Sequence, residues 1–318
     1  MYRTQFGRML ATTRAKVVFG FGSLVAVALV ISACMPIQPQ AASEEPAPTA
    51  AATEEPAAEA ASTVVGDAAN GQYIATVTGG CGCHFNADLN AMAGGREFKG
   101  DFGVVNAANI TSDEATGIAG DSDETLVSLL RTGQETEDGQ TYVLSPVMPY
   151  HTFSILSDQD AYDIVAWLRT LPAVANEVPE RQLAAEPEPW TPASAPAATS
   201  PTEPVARGEY LVKLANCGGC HTPKDDKGAP MADMMLAGSP LRDEFAANLT
   251  PDAETGLGSW TAEQIATFLR TGTEPDGKQV EGAMAQQIER RFSKLTEGDA
   301  AAIAAYLQSI PAVKNAAP

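Results

Sequence analysis

The alternation of apolar and polar residues predicts helices with defined starts and stops, separated by polar loops. Over 122–131 and 261–270, apolar residues recur at helical spacing, a serine or threonine stands at the start, and a glycine follows the end. Residues 157–160 and 296–299 are typical N-cap sequences, and the helices that they open are expected to stop at a proline. Two shorter helices are predicted over 68–77 and 206–215. Because every predicted element is a helix, we expect an all-α fold.

The predicted helices occur in pairs because the chain contains an internal repeat. Gly-x-Tyr at 71–73 corresponds to 208–210 at an offset of 137 residues, and Leu-Arg-Thr-Gly at 130–133 corresponds to 269–272 at an offset of 139. A nearly constant offset over about a hundred residues indicates duplication. We therefore expect two tandem domains, called here the first repeat (65–178) and the second repeat (205–314).

The first 34 residues have the features of an export segment. A basic leader is followed by the apolar stretch 17–33, which is short for a membrane span and ends in Ile-Ser-Ala-Cys34. This ending resembles the lipobox of bacterial lipoproteins, which implies cleavage before Cys34 and lipidation of its thiol. The predicted location is the outer face of the cytoplasmic membrane or the periplasm. An uncleaved signal anchor is the alternative.

Two further segments are rich in alanine, proline and glutamate and show no apolar periodicity. Residues 35–64 are predicted to be a disordered tether, and 179–204 an interdomain linker. Like charges along the tether would extend it and give the globular part reach from the membrane.

The charge balance restricts the kind of partner. The formal net charge is −20, and the leader contributes four basic residues and no acidic one, so the exported chain would be more acidic still. Such a surface repels the phosphates of nucleic acids. A partner protein with a basic docking patch is the natural expectation, although the charge could also serve only solubility.

The sequence Cys-Gly-Gly-Cys-His at 217–221 is typical of covalent haem c attachment. Cys217 and Cys220 are three positions apart, so a helix places both sulfurs on one face, where they can reach the two vinyl groups of a porphyrin. His221 then provides a neutral nitrogen for the iron. A redox dithiol or half of a zinc site is the alternative, but a zinc site needs more ligands than this segment holds.

The corresponding segment of the first repeat departs from this spacing. It reads Cys81-Gly-Cys83-His84, so the two thiols are only two positions apart, and Gly80 occupies the position of Cys217. On a helix, residues two apart diverge by about 200°. Three outcomes are open: haem held by Cys83 alone, haem held by both cysteines through a distorted turn, or no haem. We expect haem with His84 as axial ligand and Cys83 as the surer bond.

A second axial ligand is expected from a methionine thioether in each repeat. Met148 lies between prolines just before the last predicted helix, and Met284 lies at the matching place in the second repeat. His151 is a rival ligand in the first repeat. The rivals in the second repeat are Met231, Met234 and Met235. Any of these methionines could instead fill the core.

These motifs together resemble a known family. Each repeat resembles a class I cytochrome c domain, and the second is similar to the cytochrome subunits of membrane-bound alcohol and aldehyde dehydrogenases. The matching motifs are Cys-Gly-Gly-Cys-His-Thr-Pro at 217–223, Asn-Leu-Thr-Pro-Asp at 248–252 and Leu-Arg-Thr-Gly at 269–272. The resemblance implies two covalently bound haem c groups and single-electron transport between respiratory or dehydrogenase partners.

The sequence favours an electron carrier over an enzyme. Neither repeat shows a nucleophile–base pair, a phosphate loop or a metal-hydrolase motif, and an iron with two filled axial positions has no place for substrate. Two alternatives stay open. A dihaem peroxidase or thiosulfate-oxidising enzyme would need one open or unusual haem, and a fixed cytochrome subunit would belong permanently to a larger dehydrogenase.

Overall fold

The computed structural model describes residues 64–137 and 139–317; the predicted leader, Cys34 and nearly all of the tether lie outside this range. The helices are α1 (Ala68–Thr78), α2 (Asp123–Thr132), α3 (Tyr150–Phe153), α4 (Asp158–Arg169), α5 (Pro204–Leu214), α6 (Cys217–His221), α7 (Ala262–Thr271), α8 (Gly282–Arg290) and α9 (Glu297–Ser309). The strands are β1 (Glu97–Gly100), β2 (Gly103–Asn106), β3 (Gln134–Glu137), β4 (Gln140–Val143), β5 (Gln182–Leu183), β6 (Ser239–Leu241) and β7 (Glu244–Ala246).

The helices begin where the capping signals predicted. Ser122 and Thr261 each accept a hydrogen bond from the N–H three residues on, opening α2 and α7, and a glycine in the left-handed region closes both helices. Ser157 and Thr296 cap α4 and α9 in the same way. Local side-chain chemistry therefore sets the ends of the four principal helices.

The expectation of an all-α fold is wrong, because the loops between the helices carry three small antiparallel sheets. β1 pairs with β2, β3 with β4, and β6 with β7. These strands have three or four residues and are partly polar, so they show no extended alternation that would distinguish them from loops. Their pairing closes the polar loops into hairpins beside the helices.

Two glycines allow the first and last helices of each repeat to cross closely. A Cβ on Gly71 would lie 1.8 Å from the carbonyl oxygen of Asp163, and one on Gly208 would lie 1.9 Å from that of Ala302. Only a residue without a side chain permits this approach of α1 to α4 and of α5 to α9. The Gly-x-Tyr repeat in the sequence thus marks the same helix crossing in both repeats.

The two repeats pack against each other through a reciprocal pair of tyrosines. The hydroxyl of Tyr73 donates to Asp299 Oδ2 at 2.7 Å, and that of Tyr210 donates to Asp160 Oδ2 at 2.6 Å. Each hydroxyl also accepts an N–H from the residue that caps the opposite repeat's last helix. One hydrophobic cluster continues through both repeats, and they belong to one compact unit. The boundaries of the two domains stay a prediction.

Removal of the Tyr210 hydroxyl is expected to destabilise the protein more than removal of its counterpart. Asp160 is 2 % exposed, and burial, together with the nearby Asp160 carboxylate, raises the pKa of Tyr210, which keeps the phenol protonated and donating. Tyr210→Phe should lower the free energy of unfolding by about 1–3 kcal/mol. Tyr73→Phe should cost less, because Asp299 keeps two hydrogen bonds from Arg207. Urea unfolding measures both variants, with Tyr306→Phe as control; equal losses would contradict this account.

The segment predicted as a linker follows the surface of the first repeat. β5 pairs with β2, and the guanidinium of Arg181 lies 4.0 Å above the ring of Tyr142. Trp190 contacts the His151 ring edge-on at a centroid distance of 4.5 Å. The backbone N–H groups of Asp158 and Gln159 donate to carbonyls at 197 and 198. This segment therefore packs along the first repeat by strand pairing and aromatic contacts.

Within residues 64–137 and 139–317, no helix has the length and apolar character that a membrane span requires. Cys34 lies outside them, so its lipidation stays a prediction.

Candidate haem-binding sites

The attachment segment of the second repeat forms a short helix of its own. Asn216, in the left-handed region with φ of 55°, precedes α6, which carries the motif from Cys217 to His221. Cys217 is half-buried against the hydrophobic cluster, whereas Cys220 is exposed. Burial raises the pKa of the Cys217 thiol to about 11. The helix thus presents one inner sulfur, Cys217, and one outer sulfur, Cys220.

One ring nitrogen of His221 is engaged in a hydrogen bond to the backbone. Its Nδ1 lies 2.7 Å from the carbonyl oxygen of Ala247, to which it can donate only as the Nδ1–H tautomer. Burial lowers the pKa of His221, which favours the neutral ring. A neutral imidazole with Nδ1 engaged leaves the lone pair of Nε2 for a metal ion.

A buried polar network adjoins the carbonyl that orients His221. Asn248, 2 % exposed, donates to Thr255 Oγ1 at 3.0 Å and to the Val313 carbonyl at 2.7 Å. Its Oδ1 accepts the backbone N–H and the hydroxyl of Thr250. The network ties the loop after Ala247 to the segment that follows the last helix.

The first repeat reproduces this arrangement atom for atom. His84 Nδ1 lies 2.8 Å from the carbonyl of Ala108, and burial lowers the pKa of His84. Asn109, fully buried, donates to Thr116 Oγ1 and the Val174 carbonyl at 3.0 and 2.8 Å. Sequence reasoning did not predict this role; the available signal was the recurrence of Asn-x-Thr at 109–111 and 248–250. The histidine sites of the two repeats are therefore equivalent.

Loss of the asparagine side chain is expected to destabilise either repeat. Asn248→Ala would leave the backbone N–H of buried Thr250 without its partner and would remove the hydrogen bonds to Thr255 and Val313, so the free energy of unfolding should fall by about 2–4 kcal/mol. Asn109→Ala should lose a similar amount because its contacts are the same. Urea unfolding followed by circular dichroism measures both, with exposed Gln286→Ala as control. A loss no larger than that of the control would show that the network is not needed for stability.

The irregular motif of the first repeat is accommodated by a different turn. Gly82–His84 forms a single 3₁₀ turn in place of the five-residue helix α6. Cys81 is buried in the hydrophobic cluster, and burial raises the pKa of its thiol to about 12, whereas Cys83 is exposed. A Cβ on Gly80, the position equivalent to Cys217, would lie 3.0 Å from the ring of Phe153. The first repeat therefore also presents one inner and one outer sulfur, despite the shorter spacing.

The two predicted methionine ligands are partly buried, whereas two of the rivals in the second repeat are exposed. Met148 and Met284 are partly buried against the same hydrophobic cluster as Cys81 and Cys217. Met148 lies in the loop before α3, whereas Met284 lies in the first turn of α8 rather than in a loop. Met231 and Met235 are exposed, by 37 % and 47 %. Their exposure favours Met284 over both, and the assignment of either buried methionine as an iron ligand stays a prediction.

His151 is engaged by aromatic rings. Its ring centroid lies 4.3 Å from that of Tyr150 and 4.5 Å from that of Trp190. This stack accounts for Trp190, whose place in the linker the sequence left unexplained.

The donor set of each repeat fits haem c. Paired thiols precede an oriented neutral imidazole, and a thioether packs on the same apolar cluster that a porphyrin would need. In addition, Nε of Arg291 is buried beside the second attachment segment without a hydrogen-bond partner among the described residues. These residues would hold a covalently attached, axially ligated iron porphyrin.

Comparison with known proteins agrees with this chemistry. The family model for cytochrome c matches residues 205–311. A diheme cytochrome c-type protein of Cereibacter sphaeroides is 32 % identical over 273 residues, which are 79 % of this chain and 88 % of that protein.

Subunits of dehydrogenases are similar to the same part of the chain. The fructose dehydrogenase cytochrome subunit of Gluconobacter japonicus is 31 % identical over 262 residues, 77 % of this chain and 52 % of the relative. The cytochrome c subunit of the quinone alcohol dehydrogenase of Gluconobacter oxydans is 33 % identical over 264 residues, 76 % of this chain and 54 % of the relative. The chain thus spans about half the length of these dehydrogenase subunits.

Proposed function

Since this chain belongs to the c-type cytochromes, we propose that it is a dihaem carrier that passes single electrons between partner proteins outside the cytoplasmic membrane. The proposal of two haems rests on the equivalence of the histidine sites. His84 and His221 each donate to a backbone carbonyl, and a buried asparagine follows that carbonyl in both repeats. A repeat that had lost its haem would not need this orientation. The proposal of redox partner proteins rests on the similarity of the chain to proteins named as cytochrome subunits of dehydrogenases.

The protein's own residues orient the iron site and shield it from water. When bound, haem c supplies the Fe(III)/Fe(II) couple. Cys217 and Cys220 would attach the porphyrin, Nε2 of His221 and the thioether of Met284 would hold the iron, and the apolar cluster would keep water away from it. In the first repeat, attachment would fall to Cys83 together with Cys81, and the iron would be held by His84 and Met148. A full set of protein ligands would suit single-electron transfer rather than substrate binding.

Attachment to the membrane through Cys34 is part of this proposal. The apolar stretch that ends in Ile-Ser-Ala-Cys34 supports it, and the acidic segment 35–64 would hold the haem domains at a distance from the bilayer. A partner with a basic docking patch suits the net charge of −20.

Intact mass spectrometry of the protein purified from native membranes tests these statements together. We expect a chain that begins at Cys34, carries acyl groups and has the added mass of two haems. A colourless mature chain would overturn the electron-transfer function, whereas an unacylated coloured chain would overturn only the anchor. Carbon monoxide that binds rapidly to one reduced haem would favour the enzyme alternative.

A second candidate is a fixed subunit of a dehydrogenase, which the similarity to fructose and alcohol dehydrogenase subunits favours. The two candidates differ in how tightly the protein associates with a partner. Constant co-purification with a dehydrogenase through gel filtration at high salt would support the fixed subunit. Dissociation at high salt would support the mobile carrier, whose docking is electrostatic.

A further inference from the structure

Arg291 connects the two attachment segments. It follows α8 and directs its guanidinium to the contact between the repeats, where Nη2 donates to the carbonyls of both Thr78 and Ala215. Thr78 and Ala215 are corresponding residues of the two repeats, each six positions before the histidine of its motif. One side chain therefore contacts the backbone that leads into both haem sites.

The guanidinium of Arg291 is partly buried and has no acidic partner among the described residues. Nη1 donates to Gln287 Oε1 at 2.9 Å, and the guanidinium carbon lies 5.1 Å from the centroid of the Phe292 ring. A Cβ on Gly79 would lie 2.6 Å from that carbon, so the first repeat leaves room for the guanidinium by having a glycine there. In the part of the chain that the structure describes, Arg291 forms no salt bridge. Burial lowers the pKa of Arg291.

Such a charge is costly to keep and therefore needs a reason. Taking a charge out of water is costly, and no carboxylate among the described residues offsets that cost for Arg291, so its charge is not explained by folding alone. Its charge lies next to the haem segment, because Nη2 donates to the carbonyl of Ala215, two residues before Cys217, so its electric field reaches that segment. In a poorly screened interior, the same field acts on any change of charge nearby.

We propose that Arg291 is a shared positioning residue that raises the reduction potential of both haems. A fixed positive charge between the attachment segments favours the ferrous state, in which the iron porphyrin has gained one negative charge. Because Thr78 and Ala215 are contacted by the same nitrogen, both haems feel the charge. The inference rests on the proposed function, since it requires a haem in each repeat.

Redox titration of the full-length, haem-loaded protein tests the proposal. In Arg291→Gln, the ratio of ferrous to ferric haem at a fixed solution potential should fall on the order of three- to tenfold for both haems. Arg290→Gln, an equal charge change at an exposed neighbour, should shift the ratio less, and its shift should disappear at high salt. Arg291→Lys keeps the charge but not the planar guanidinium, and its ratio of ferrous to ferric haem should stay close to that of the unmodified protein.

A second variant cancels the charge without removing Arg291. Gln287→Glu would place a carboxylate beside Nη1 and pair with it, so both potentials should fall while the fold is kept. Gln286→Glu adds the same charge at an exposed position of α8 and is the matched control. If Arg291→Gln does not fold, Gln287→Glu decides the question.

The number of haems per chain distinguishes a failure of the proposed function from a failure of the role assigned to Arg291. Pyridine haemochrome analysis counts the haems of every variant before titration. Fewer than two haems in the unmodified protein would contradict the proposed function. With two haems present, unchanged potentials in Arg291→Gln or Gln287→Glu, a shift of only one haem, or equal shifts in Arg290→Gln would each overturn the role of Arg291.

Discussion

Replacement of Cys217 and Cys220 by alanine is expected to remove one of two covalently bound haems from the chain. Cys217 and Cys220 belong to the same helix as His221, whereas the other cysteines among the described residues, Cys81 and Cys83, belong to the motif of the first repeat. The haem count should fall from two to about one per chain. Pyridine haemochrome spectra after acid-acetone extraction measure the covalently held fraction.

The first repeat provides the comparison for this experiment. Cys83→Ala should remove the other haem, because Cys83 is the exposed thiol next to His84, as Cys220 is next to His221. Cys81→Ala should keep a haem attached through Cys83. Cys34→Ser is the control, since it lies far from both motifs in the sequence and should keep two haems. Retention of both haems in Cys83→Ala would show that Cys81 alone suffices or that the haem lies elsewhere.

Truncation of Met284 is expected to open the second iron to external ligands. With the thioether lost, carbon monoxide should bind stoichiometrically to that ferrous haem, and the reduced fraction at a fixed potential should fall on the order of tenfold or more. Flash photolysis of the carbon monoxide complex and redox titration measure the two effects. Met148→Ala should do the same in the first repeat.

Three variants control for the rival ligands. Met231 and Met235 are exposed, so alanine at either position should leave carbon monoxide binding absent. His151 stacks between aromatic rings, and His151→Ala should likewise leave the iron closed. Carbon monoxide binding in Met235→Ala but not in Met284→Ala would show that Met235, and not Met284, is the iron ligand.

Much of the site could be predicted from the sequence because its signals are local. The attachment motif at 217–221, the duplication and the helix caps each depend on residues only a few positions apart. The same reasoning failed for the sheets, since strands such as β6 and β7 have three residues and owe their pairing to the hairpin as a whole. It also could not foresee how Cys81 and Cys83 share the roles of inner and outer thiol, which depends on a 3₁₀ turn.

The sequence by itself determined that the chain carries a duplicated unit with a pair of closely spaced cysteines before a histidine in each copy, because thiol spacing and helix capping act within single turns. The tertiary structure decided how that unit is held. The partners of Asn248 and Tyr73 lie 65 and 226 residues away along the chain, and Arg291 lies 213 residues from Thr78. No spacing in the sequence encodes such pairs; they form only when the helices of both repeats pack and bury their polar groups together.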